Sequence, residues 1–124
     1  MAREQYEQAT KEFSKLMQTF EGYTQNRREL LTQLNENEAV EEELKLLRDG
    51  CTLYKVVGPV LVKQSHSEAR NTVTKRLQYI RAEIERCEKI EEEISVKVKE
   101  TGNKIAMLGR KAAEEEMKHG GGKF

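Results

Sequence analysis

The chain has 124 residues, with 22 Lys plus Arg against 22 Asp plus Glu, 35% charged and 6% aromatic residues, and no tryptophan. That is room for one domain, but with more charge than the roughly 25% of an ordinary globular domain and few large side chains to fill a core, which argues against a compact enzyme. A formal net charge of zero lacks the basic footprint of a nucleic-acid binder, and no apolar run approaches the roughly 20 residues of a membrane span, so proteins are the expected partners.

The first element opens near Tyr6, from where apolar residues step by three and four through Ala9, Phe13, Leu16, Phe20 and Tyr23, then Leu30 and Leu34 beyond a polar Arg27. This is the a and d pattern of a heptad seam. The phase slips by one near Asn37 and resumes at Val40, Leu44 and Leu47. Glu, Lys, Gln and Arg dominate between the seam positions, with acid–base pairs such as Glu7 with Lys11 and Glu41 with Lys45 one turn apart, so the spacing predicts one helix over about residues 4–48. Arg48 falls in its last turn and Gly50 stands where a left-handed cap is wanted.

The middle segment changes character. Residues 52–64 are rich in β-branched side chains on both sides of Gly58-Pro59, which predicts a β-hairpin with its turn at those two residues. Pro59 cannot donate to a strand ladder and therefore marks the turn. A second helix is predicted over about residues 67–117, with a seam of Val73, Leu77, Ile80, Ile84, Cys87, Ile94, Val98, Ile105, Leu108 and Ala112, interrupted by Glu91 and Thr101. Ser65 with Glu68 has capping-box spacing, and Ser67 is an equal candidate for the cap. Residues 118–124, with glycine at 120, 121 and 122, are expected to form a flexible tail.

At 1.5 Å per residue each helix would run roughly 65 to 75 Å, against a radius of gyration of about 14 Å for a compact chain of this size. The expected fold is therefore mostly α: a long antiparallel coiled-coil hairpin of two helices joined by one β-hairpin. A lone two-stranded hairpin is marginal in water, and little sequence remains to cover Leu53, Val57, Val60 and Val62. Pairing with equivalent hairpins of other chains, into an intersubunit β-barrel, covers both the edges and the apolar face. Obligate oligomerisation follows from the pattern.

The stretch Leu53-Tyr54-Lys55-Val56-Val57-Gly58-Pro59-Val60-Leu61-Val62-Lys63-Gln64, followed at matching spacing by Glu68-Ala69-Arg70, Val73, Lys75-Arg76-Leu77, Ile80 and Glu83-Ile84, resembles the β-type subunits of prefoldin. The specific part of the resemblance covers about residues 44–84, since heptads elsewhere would match many coiled coils. It implies an ATP-independent co-chaperone subunit in a heterohexamer of two α-type and four β-type chains. In such a complex the hairpins build a barrel platform, the coiled coils capture unfolded proteins including actin and tubulin, and the cargo passes to the cytosolic chaperonin. On this reading Leu53, Tyr54, Val56, Val57, Gly58, Pro59, Val60, Leu61 and Val62 serve subunit assembly.

The chain ends then become the working end. Tyr6, Phe13, Met17, Ile105, Met107 and Leu108 are the candidate client-binding residues: Met17 and Met107 lie beside the seam, where methionine adapts to irregular apolar partners. Gly102 and Gly109, each costing about 1 kcal/mol of helix stability relative to alanine, would loosen this end. The acidic runs at Glu36, Glu38 and Glu41 to Glu43, and at Glu91 to Glu93, are either solvated faces or a docking contact for the chaperonin. Arg27-Arg28 and Lys75-Arg76 are too short and too balanced by acids to mark nucleic-acid binding.

Cys51 and Cys87 are too few for a disulfide framework, and no signal segment follows Met1, so a reducing, cytoplasmic setting is expected. Cys87, on a d position, reads as a small buried hydrophobe. His66 and His119 have no ligand partners at zinc spacing, and phosphate-binding or nucleophile motifs are lacking, so no metal, cofactor or catalytic residue is assigned. The competing reading is a structural coiled-coil scaffold, including a place in a prefoldin-like assembly complex; it would need regular seams to the very ends.

Overall fold

A computed structural model of the chain describes residues 1–48 and 50–121, with side chains described as far as Lys118. The element order is α1 (Ala2–Leu46), β1 (Leu53–Val57), β2 (Val60–Gln64) and α2 (His66–Gly121). The main-chain fold is the expected one, two long helices and one antiparallel hairpin.

Each helix boundary has a local cause. Ser65 is the cap of α2: its Oγ accepts the Glu68 backbone N–H at 3.1 Å, and its carbonyl accepts the Ala69 N–H at 3.0 Å. α1 stops at Leu46, two residues before the expected end, and Gly50 does not cap it. Instead Gly50, at φ +102°, belongs to a turn in which the Cys51 N–H donates to the Arg48 carbonyl at 3.2 Å, a place where positive φ favours glycine. At the other end α2 runs to Gly121, beyond the expected 117. Extending an existing helix needs no new nucleus, so exposed residues can continue it; of the expected tail, residues 122–124 lie outside the described ones.

The chain divides into two compact units, Met1–Gln25 with Glu88–Phe124, and Asn26–Cys87. In the first, which holds both termini, the helix segments run antiparallel: Arg3 pairs with Glu116 at 3.6 Å, while Thr24 donates from Oγ1 to Glu91 Oε2 at 3.2 Å. Ala2, Ala9, Ile94 and Leu108 form its buried apolar seam, and the two polar interruptions, Glu91 and Thr101, are buried with them. Glu7 pairs with Arg3 at 3.7 Å, not with Lys11.

The second unit holds the hairpin and the helix segments that flank it. Its core is Leu30, Ala69, Val73, Leu77, Ile80, Ile84 and Cys87, and Leu77 is 1% exposed. Asn26 donates from Nδ2 to Cys87 Sγ at 3.6 Å, and Arg81 meets Glu38 at 3.4 Å. The expected phase slip in α1 is absent: Leu30, Leu34, Asn37, Glu41 and Leu44 keep the four–three alternation on the covered face, and Val40 is 41% exposed. Two polar residues hold seam positions, both half-buried and each beside a local partner. Asn37 donates from Nδ2 to the Gln33 carbonyl at 2.7 Å, and Glu41 reaches Lys45 at 3.8 Å, so holding the phase costs no unsatisfied buried group. The irregularity lies in α2, where Ala69, Val73 and Leu77 are buried at two successive four-residue steps, a stutter that locally unwinds the seam.

Candidate assembly and client-binding surfaces

The hairpin register pairs Leu53 with Gln64, Tyr54 with Lys63, Lys55 with Val62, Val56 with Leu61 and Val57 with Val60. Only Gly58 and Pro59 remain for the loop. Gly58 has φ +58° and Pro59 has the negative φ its ring imposes, the signature of a type II′ turn, whose twist matches that of the strands. Because successive side chains alternate, one face carries Leu53, Lys55, Val57, Val60, Val62 and Gln64, and the other Tyr54, Val56, Leu61 and Lys63. Neither face is covered. Val56 is 73% and Leu61 64% exposed, and Tyr54, Val57, Val60 and Val62 are exposed as well. With only two strands, both edges also keep free N–H and C=O groups.

The base of the hairpin is tied to the helix that follows. His66 Nε2 lies 2.6 Å from the Cys51 carbonyl oxygen, and Arg70 donates from Nε to the His66 carbonyl at 3.3 Å. The first contact joins the connection before β1 to the first turn of α2, and the second is a bond within that turn. Cys51 itself is exposed and is not part of a disulfide among the described residues.

In the unit that holds the termini, the six residues expected to bind clients stand at different depths. Tyr6 and Met107 are exposed, Phe13, Met17 and Ile105 are half-buried, and Leu108 is only 4% exposed. What sequence reasoning missed is the role of the two glycines. A Cβ on Gly109 would lie 3.3 Å from Tyr6 Cε2, and one on Gly102 would lie 3.9 Å from Phe13 Cε2. Two of the aromatic rings of α1, those of Tyr6 and Phe13, lie over glycines of α2, so these glycines seat the rings, and α2 stays helical through both. The signal was present in the numbering: Tyr6 and Phe13 are one heptad apart, as are Gly102 and Gly109.

Comparison with known proteins identifies the pattern. A family model described as prefoldin subunit matches residues 7–111. Prefoldin subunit 6 of Mus musculus is 49% identical over 85 residues, 68% of this chain and 61% of that protein, and the Homo sapiens protein of the same name is 49% identical over 60% of its length. The matched stretch thus spans about three fifths of those relatives. The same name belongs to a Saccharomyces cerevisiae protein 43% identical over 77 residues, 62% of this chain and 68% of that one. Among solved structures, the prefoldin beta subunit from Thermococcus strain KS-1 superposes with a TM-score of 0.76 at 21% identity, covering 82% of this chain and 89% of that one. The beta2 subunit from the same strain gives 0.63 at 21% identity, over 73% and 97%. These two show the fold.

Proposed function

Since the chain belongs to the prefoldin subunit family and has the β-type fold, we propose that it is a subunit of an ATP-independent co-chaperone. It assembles through its hairpin with other α-type and β-type prefoldin subunits, two and four chains in all, and binds unfolded proteins in the unit that holds its termini. The observation that carries this reading is the hairpin. Both faces are apolar and open, both edges are unpaired, and the turn and the base are well fixed. A surface of that kind is kept in solution by strand pairing with other chains.

Client capture rests on residues that are poised between core and surface. Tyr6 and Met107 offer apolar contact directly, and opening the local seam adds Phe13, Met17, Ile105 and Leu108. Individually weak contacts retain a client when several subunits act together through effective concentration, and they allow release without nucleotide hydrolysis. Nascent actin and tubulin are the proposed clients, with the cytosolic chaperonin as the recipient. Reconstituting the complex from purified subunits and following aggregation of denatured actin by light scattering tests this: suppression is expected, and aggregation at the rate of buffer alone would refute it.

One observation favours a second reading, a coiled-coil scaffold. α2 remains helical across Gly102 and Gly109 to Gly121, as a tether would. A complex that assembles fully and leaves denatured actin to aggregate would decide for the scaffold.

A further inference from the structure

A groove beside the hairpin is accounted for neither by the fold nor by client binding. Val40 and Leu44 of α1, Leu53 of β1, and Ala69 and Val73 of α2 line it, and it encloses about 380 Å³, within the range of small-ligand sites. Val40, which the uninterrupted α1 seam leaves 41% exposed, is part of its wall. Two cations, Lys55 and Arg76, share its lining.

What sets those two apart from other cations of the same unit is their place: they share a groove lining that holds no carboxylate. Arg81 is paired with Glu38, Lys45 with Glu41 and Glu42, and Arg86 with Glu83, while Arg70 donates to a carbonyl. Among the described residues, the side chains of Lys55 and Arg76 have neither an ion pair nor a hydrogen bond, as is also true of Arg28, Arg48, Lys63 and Lys75, which lie outside the groove. An apolar wall with two unpaired cations at its margin is complementary to an apolar side chain that has a carboxylate close by, because guanidinium binds carboxylate through two parallel N–H bonds. The groove also runs along β1 of the hairpin: Leu53, Tyr54, Lys55 and Val56 are in its lining, and Lys55 faces Val62 across the strands, on the side that carries Val57 and Val60. A chain laid along that face reaches the groove. Two cations in a neutral protein are too few to follow a phosphate backbone.

We propose that this groove is a specificity socket for a neighbouring prefoldin subunit, receiving an apolar side chain flanked by an Asp or Glu that pairs with Arg76 and Lys55. The proposal rests on the hairpin being the assembly surface. It adds that partner choice is read by charge beside the sheet, where like charge would reject the wrong subunit.

The test uses the complex reconstituted from purified subunits. Arg76→Glu should weaken assembly at least tenfold by sedimentation equilibrium, Arg76→Lys should lose only part of that, and the unmodified chain should assemble more weakly as salt is raised. A photoreactive amino acid at Thr72, which also lines the groove, should cross-link to a peptide of a neighbouring subunit with Asp or Glu beside an apolar residue. Wild-type affinity in Arg76→Glu, or a cross-link only to actin, to a second copy of this chain or to nothing, would overturn the socket. Val60→Lys with Val62→Lys separates it from the hairpin reading: loss of assembly there with normal assembly of Arg76→Glu removes the socket alone, whereas normal assembly of the lysine variant removes the hairpin reading.

Discussion

The hairpin and the unit holding the two termini both display apolar side chains, and they do so in opposite ways. On the hairpin, Val56 and Leu61 stand well out in solvent on a pair of strands whose turn, register and base are all fixed. Around the termini, Leu108 is buried, Phe13 and Ile105 are half-covered, and Tyr6 rests its ring on Gly109. An apolar sheet with free edges is the kind of surface that strand pairing with another chain covers, in line with the assembly role proposed for it. A seam closed over glycine suits a temporary partner, since its apolar groups are stored against each other until something displaces them.

The strongest way to break this contrast is at the sheet. Val60→Lys with Val62→Lys puts two charges on one face of the hairpin and should abolish incorporation into the hexamer, measured by light scattering coupled to gel filtration; an unaltered hexamer would make the hairpin an ordinary surface. Next in size are two core truncations. Leu77→Ala, in the hairpin's unit, should cost about 2 to 4 kcal/mol in urea unfolding followed by circular dichroism. Leu108→Ala should cost a similar amount if the terminal seam is closed in solution, and a loss below about 1 kcal/mol would show it standing open.

Smaller effects sharpen the terminal half of the comparison. Tyr6→Ser together with Phe13→Ser should shorten retention of denatured actin several-fold in a pull-down while leaving hexamer assembly intact; loss of assembly would make the rings purely structural. At the lower end, Gly102→Ala should stabilise the helix by up to about 1 kcal/mol, as its Cβ meets Phe13 at ordinary contact distance. Gly109→Ala should gain less, because its Cβ presses on the Tyr6 ring at 3.3 Å. Equal shifts in thermal midpoint for the two variants would remove the distinction between a loose seat and a tight one.

Much of this could be read before any coordinates. Heptad spacing located the α2 seam, including its two polar interruptions, and Gly58-Pro59 located the turn. The α1 phase was less legible, because Val40 is apolar and Asn37 and Glu41 are polar, and hydrophobicity alone therefore favours a slip. In the structure Asn37 and Glu41 take the seam positions half-buried, Asn37 bonded to the Gln33 carbonyl and Glu41 beside Lys45, and hydrophobicity does not show that polar residues can stand there. The cap was likewise open between Ser65 and Ser67.

By itself, then, the sequence determined the element types, their order and the turn, since those follow from local propensity and from the spacing of apolar residues. Tertiary structure decided which face Val40 takes, that Gly102 and Gly109 seat the aromatic rings, and that Lys55 and Arg76 are unpaired beside one apolar groove. The glycine seats and the groove depend on which residues of two elements far apart in sequence come within a few ångströms of each other, and spacing along one chain does not specify that.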